Sequence, residues 1–171
     1  MHVRERLLLR LFSLKIPVLL FLGPRIIEVD DDACAIEIPL RLRSRNHVGS
    51  MYFGALCAGA DVAGGLLAVR LIAARHRRVQ LLFSDLKAEF LKRADGDVLF
   101  RCRDGQRIAE AVRRADETGE RVGTPVEVDA TVPAKYGDEP VARFTLGLTL
   151  KRADASAAER ARPPDRAGAT G

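Results

Sequence analysis

The chain has no tryptophan and two tyrosines, and aromatic residues make up only 5% of it. So few rings leave little for nucleobases to stack on, and no nucleic-acid recognition motif is present. The formal charge of +5 therefore does not make this a nucleic-acid binder. Cysteine is scarce as well. Cys34, Cys57 and Cys102 lie far apart, with neither a CxxC pair nor a Cys/His ligand spacing, which argues against a structural metal. No signal-peptide cleavage pattern is evident, so the expected compartment is the reducing cytoplasm. No βαβ repetition can be found, which removes the doubly wound folds.

What remains is a chain of 171 residues, 47% hydrophobic and 30% charged, enough for one globular domain with a real core. Residues 1–24 read as a helical segment that packs on that core. Leu8, Leu11 and Phe12 share a face, Pro17 breaks or restarts the helix, and Gly23-Pro24 closes it. Its simplest use is as a lid over one edge of the core, followed by a wall over an acyl pocket and then by an anchor at a membrane surface. Residues 25–152 hold the main domain. Strands are expected over 25–30 and 33–42, the second with Ile36, Ile38, Leu40 and Leu42 on one face. A long strand over 79–92 places Leu82, Leu86, Ala88 and Phe90 inward, and an Asp-Gly turn leads back through 97–103. Helical spacing of Ile108, Ala111, Val112 and Ala115 predicts a short helix over 105–116. Clean alternation predicts strands over 126–132 and 144–150. Residues 153–171 are rich in Ala, Arg and Pro without an apolar period, and read as a disordered tail.

One stretch differs from all of this. A polar loop beginning at Asn46 runs into Met51–Val69, long, poor in β-branched residues and carrying a single charge, Asp61. We read it as a buried helix; its length suits a bilayer, but the flanking strand patterns favour a soluble core. A carboxylate inside such a helix is costly without a partner or a task. One long Ala/Gly-rich helix among six strands predicts an α+β protein whose mostly antiparallel sheet curls around it.

The residues of this stretch resemble a known pattern. Asn46, Gly49, a tripeptide at 52–54 and Asp61, nine places after Tyr52, are similar to the motif of PaaI-like acyl-CoA thioesterases of the hot-dog superfamily. That group has His-Gly-Gly where this chain has Tyr52, Phe53 and Gly54. Together with residues 86–97, the block looks closest to an uncharacterised, thioesterase-like branch.

The resemblance implies a hot-dog fold, a homodimer with its two sheets side by side, and active sites at the dimer interface. A dimer of dimers stays open. It also implies hydrolysis of an acyl-CoA or acyl-carrier thioester with no metal and no organic cofactor, CoA entering only as part of the substrate. On this reading Asp61 is general base or nucleophile, Asn46 orients the water or the thioester, and the amide of Gly54 holds the oxyanion. Gly49, Tyr52, Phe53 and Lys87 line the substrate. The plainer alternatives are an Asx-type turn for Asn46, a structural buried acid for Asp61, an aromatic wall for Tyr52 and a solvated strand face for Lys87. The bulk of Tyr52-Phe53 motivates a second function, a hot-dog dimer that binds acyl groups or lipid without cleaving them. A nucleic-acid or membrane-surface module ranks last.

Overall fold

The computed structural model describes residues 16–75 and 78–153. In chain order the elements are α1 (Pro17–Leu22), β1 (Arg25–Val29), β2 (Cys34–Ile38), α2 (Phe53–Arg75), β3 (Val79–Phe90), β4 (Val98–Cys102), α3 (Gly105–Thr118), β5 (Val122–Thr131), α4 (Pro133–Tyr136) and β6 (Pro140–Arg152). The six strands form one sheet in the order β1-β2-β4-β5-β6-β3, antiparallel throughout. The sheet curls around α2, the hot-dog arrangement that the sequence resemblance implies.

The composition of α2 explains why it lies at the centre. It is apolar nearly all round, so no orientation on a surface would satisfy it, and it must be enclosed. By length and composition it could cross a membrane, yet it is mostly buried inside the fold. Ala60, Ala63, Leu67 and Ala68 are fully buried against the sheet. Its small residues bring backbone and sheet together: a Cβ at Gly59 would overlap the buried ring of Phe100 on β4. At the solvated side, Arg70 Nε donates to Asp31 Oδ1 at 2.9 Å, tying the helix to the β1–β2 turn.

Most of the expected elements are present, with informative differences. The second strand stops at Ile38, because Pro39 has no N–H with which to continue the ladder, and Leu42 is 83% exposed rather than inward. The expected inward face of β3 is largely open: Leu82, Leu86 and Phe90 are 64%, 41% and 51% exposed. β3 ends the sheet, pairs only with β6, and carries a bulge between Phe83 and Asp85 that breaks its alternation. The helix over 105–118 buries the four residues its spacing predicted. The turn after β5 contains a single helical turn, α4. Pro17 starts α1; the helical segment before residue 16 and the tail over 154–171 lie outside the described residues.

Although remote in sequence, Cys34 and Cys102 face each other across β2 and β4. Burial pushes their thiols up to about 12 and about 11 respectively. Cys57 is half-buried against the core, as its place on an apolar helix suggests.

The close approach of α2 to the sheet can be tested at two glycines. Gly59→Ala should lower the urea midpoint, because overpacking against a ring that cannot move costs on the order of 1–3 kcal/mol, more than the helix propensity gained. Gly64→Ala should be neutral or stabilising by up to about 1 kcal/mol, since its Cβ would meet Val126 Cγ2 at an ordinary 3.4 Å. Equal effects at both sites in a urea titration would contradict this packing.

Candidate functional site

The loop before α2 is built by Asn46. Its Oδ1 accepts the backbone N–H groups of Val48 and Ser50, each at 3.1 Å, and its Nδ2 donates to Ser50 Oγ at 3.2 Å. Gly49 turns this loop with a φ of 85°, which an L side chain would rarely adopt. Arg93 braces it from outside, donating Nη2 to the Val48 carbonyl at 2.6 Å. The loop delivers Tyr52, whose amide bonds the Ser44 carbonyl at 2.8 Å and whose own carbonyl accepts from Ala55 and Leu56.

The next two amides, of Phe53 and Gly54, begin α2 and have no hydrogen-bond partner among the described residues. Two adjacent free N–H groups at a helix start suit an anionic oxygen. The Tyr52 ring folds over the same point: a Cβ at Gly54 would overlap it, so a larger residue there would push the ring aside. The Tyr52 and Phe53 rings meet edge to face, 4.9 Å between centroids, and both stay largely exposed. Asn46, Tyr52, Phe53, Lys92 and Arg93 line a cavity of about 560 Å³.

Asp61 belongs to another cavity, of about 710 Å³, enclosed by α1, α2 and the first half of β3. The lining is apolar, including Leu19, Gly65, Val69, Ile72, Leu81 and Phe83, with Gln80 and Asp61 as the polar exceptions. Asp61 has no hydrogen bond or ion pair among the described residues, and burial pushes its carboxyl above the usual carboxylate range. A proton acceptor that is half-buried, unpaired and aimed at an apolar cavity has the properties of a general base or a carboxylate nucleophile.

Within one chain the expected site is divided. Gly54 and Asp61 are seven residues apart on one helix, about 10 Å along its axis. The helix-start amides and the carboxylate therefore cannot both reach one carbonyl in the same subunit. Gly49 and Lys87 line neither cavity; Lys87 lies exposed on β3 opposite Thr145. Lys92 and Arg93 are the cations beside the helix start, Lys92 pairing with Glu139 at 2.5 Å. The pocket wall weighed for the N-terminal segment corresponds to Leu19 of α1 in this cavity, and the α2 side of it stands in the sequence as the stripe of Asp61, Gly65, Val69 and Ile72. Among the described residues no three His, Cys, Asp or Glu side chains gather as a metal site.

Residues 4–150 match the model of a domain of unknown function, DUF4442. The chain belongs to the DUF4442 family. No curated protein matches this DUF4442 chain in sequence. Among solved structures it is similar to PA5026 of Pseudomonas aeruginosa, a protein of unknown function described as a probable thioesterase. The identity is 25% and the TM-score 0.72, over 86% of this chain and 95% of that one. It also shares its fold with the thioesterase HI1161 of Haemophilus influenzae, at 17% identity and a TM-score of 0.64, over 85% and 88% of the two chains. A mutant thioesterase PA1618 of P. aeruginosa is similar at 15% identity and a TM-score of 0.62, over 84% and 94%.

The state of Asp61 has a consequence for stability. A carboxyl whose pKa is raised by folding binds its proton more tightly in the folded chain. Its cost to stability is absent below the ordinary value of 3.8, grows as pH rises through the raised pKa, and is complete above it. Asp61→Asn removes the charge, so its melting temperature should exceed that of wild type near neutral pH. The gap should narrow as pH falls towards the ordinary carboxylate range. A melting temperature below wild type at neutral pH, or an offset independent of pH, would show that Asp61 is not held against its charge.

Proposed function

We propose that this protein hydrolyses an acyl thioester, carried on CoA or an acyl carrier, as a cytoplasmic homodimer whose reaction centres are completed across the subunit interface. The observation that carries the reading is Asp61, an unpaired carboxylate with a raised proton affinity at the edge of an apolar cavity. In the reaction, Asp61 takes a proton from a water molecule whose oxygen attacks the thioester carbonyl. The carbonyl electrons move onto oxygen, and the free amides of Phe53 and Gly54 from a second copy receive that charge. Collapse of the tetrahedral intermediate breaks the carbon–sulfur bond, and the departing thiolate takes the proton from Asp61. Burial makes Asp61 a stronger base than a solvated aspartate, which favours the first step. The scheme calls only on water and the chain itself, with CoA arriving as part of the substrate.

Two observations support a dimer. The first is the division of the site, since one subunit cannot bring both halves to a single carbonyl. The second is β3, a twelve-residue strand whose outer edge is unpaired and whose Leu82, Leu86 and Phe90 are exposed. A long apolar edge of this kind is a template for another strand. Lys92 and Arg93 beside the helix start suit the phosphates of a CoA-like carrier.

A second reading has its own observation. The Tyr52 ring lies over Gly54 at the helix start, which suits a dimer that holds acyl groups or lipid without cleaving them.

Purified protein should release free thiol from acyl-CoA, and Asp61→Asn should lower kcat by roughly 10²–10⁴-fold. Folded dimer that yields no thiol with any chain length, yet carries bound acyl-CoA or lipid, would replace hydrolysis by the binding reading. Light scattering should give twice the chain mass of 18.7 kDa. Leu86→Lys, on the exposed edge, should shift the protein towards single-chain mass and lower hydrolysis in parallel. Full activity in that monomer would overturn the shared reaction centre.

A further inference from the structure

The cavity beside Asp61 has a direction. Its α2 wall includes Asp61, Gly65, Val69 and Ala73, each four residues after the last along one face, flanked by Val62, Leu66 and Ile72. On the strand side the order is reversed: Phe83 lies near Gly65, while Val79, at the start of β3, lines the cavity with Ile72 and Ala73 of the last turns of α2. The space is thus a slot parallel to the helix, with Asp61 near one end and Ala73 at the other. Leu19 of α1 covers it. From Asp61 to Ala73 is twelve residues, about 18 Å at the helical rise.

The head of the slot is narrow. A Cβ at Gly65 would stand 3.3 Å from Phe83 Cζ and 3.7 Å from Asp61 Oδ1, so the glycine leaves free the space between carboxylate and ring. Beyond it the walls offer hydrocarbon, with Gln80 the one polar side chain past Asp61 among the described residues. A pantetheine arm, with its two amides, would lose hydrogen bonds there, whereas an alkyl chain loses nothing and gains by burial.

We propose that this slot is a ruler for the acyl chain, selecting straight saturated chains of about 12–14 carbons, with Val69 at its middle and Ala73 at its limit. The length follows from geometry: carbon–carbon bonds of about 1.5 Å at tetrahedral angles advance an extended chain by about 1.3 Å per carbon, so about 18 Å holds about 14. Carbons beyond Ala73, which is exposed, return to solvent. The inference rests on the reading that the thioester carbonyl sits at Asp61, and it adds the substrate class.

The test reads hydrolysis and binding separately. Thiol release is measured over saturated acyl-CoAs from butyryl to stearoyl. Binding is measured as displacement of a fluorescent long-chain fatty acid by saturated fatty acids over the same range. In wild type, affinity should rise roughly fourfold per added carbon at most and stop rising at about 14 carbons. Val69→Phe places a ring about 12 Å from Asp61, and should lower the ratio of C14 to C8 at least tenfold in both measurements. Ala73→Phe, at an exposed position that the fold should tolerate, should reduce the gain only for chains of about 14 carbons and longer. If Val69→Phe does not fold, Ala73→Phe decides alone. A profile unchanged in the folded variants, or lowered equally at all lengths, overturns the ruler while hydrolysis stands. Binding that shifts as described without thiol release overturns the hydrolase and leaves the ruler. Absence of both binding and turnover overturns both.

Discussion

The enclosure of α2 governs this structure. A helix that is apolar all round has no face to offer to water, and here the sheet supplies most of its cover, with α3 packed against it as well. That sheet has to curve, and it can only curve tightly if the helix is thin. Ala60, Ala63 and Ala68, with Gly59 and Gly64, supply the thinness, and the ring of Phe100 occupies the volume that side chains on the helix would have filled. Where the wall formed by the sheet ends, at β3, the helix is incompletely covered, and the apolar cavity lies there.

The placement of Asp61 follows from the same constraint. On the sheet-facing side of α2 a carboxylate would be buried without any partner; on a fully solvated side it would be an ordinary surface acid. At the margin of the cover it is half-buried, and burial raises its proton affinity. The helix start answers it with opposite electrostatics, two free amides on which negative charge is favoured. The carboxylate and the helix-start amides thus lie on one helix, about 10 Å apart along its axis.

Much of this was legible in the sequence. The singular charge in Met51–Val69 located the central helix, and the alternation over 126–132 and 144–150 located the strands that pack on it, because both patterns are consequences of burial on one side. The resemblance at Asn46, Gly49, Gly54 and Asp61 pointed to the hot-dog family. What stayed hidden depends on neighbours that lie far away in the chain. Alternation in β3 reads as an inward face whether or not another layer exists to cover it. The bulge at Phe83 and Asp85 leaves no mark in a list of residues. The division of the site between two cavities is likewise invisible to motif spacing, which counts residues without regard to where each side chain points. Asn46 illustrates the gap: its amide is occupied in holding its own loop, a use that its position in a motif does not distinguish from contact with substrate.

The strand order also bears on how the chain is made. β3 is the third strand in the chain, yet its partner in the sheet is β6, the last of the described strands to be synthesised. The strands between them can pair as soon as they emerge, β4 with β2 and β5 with β4, but β3 must wait. During that interval both of its edges are open, and the leucines and phenylalanines along it are available to any other nascent strand. Closure of the sheet by β6 is thus the step that separates native assembly from aggregation, and a chain halted before residue 140 would keep its most adhesive segment exposed.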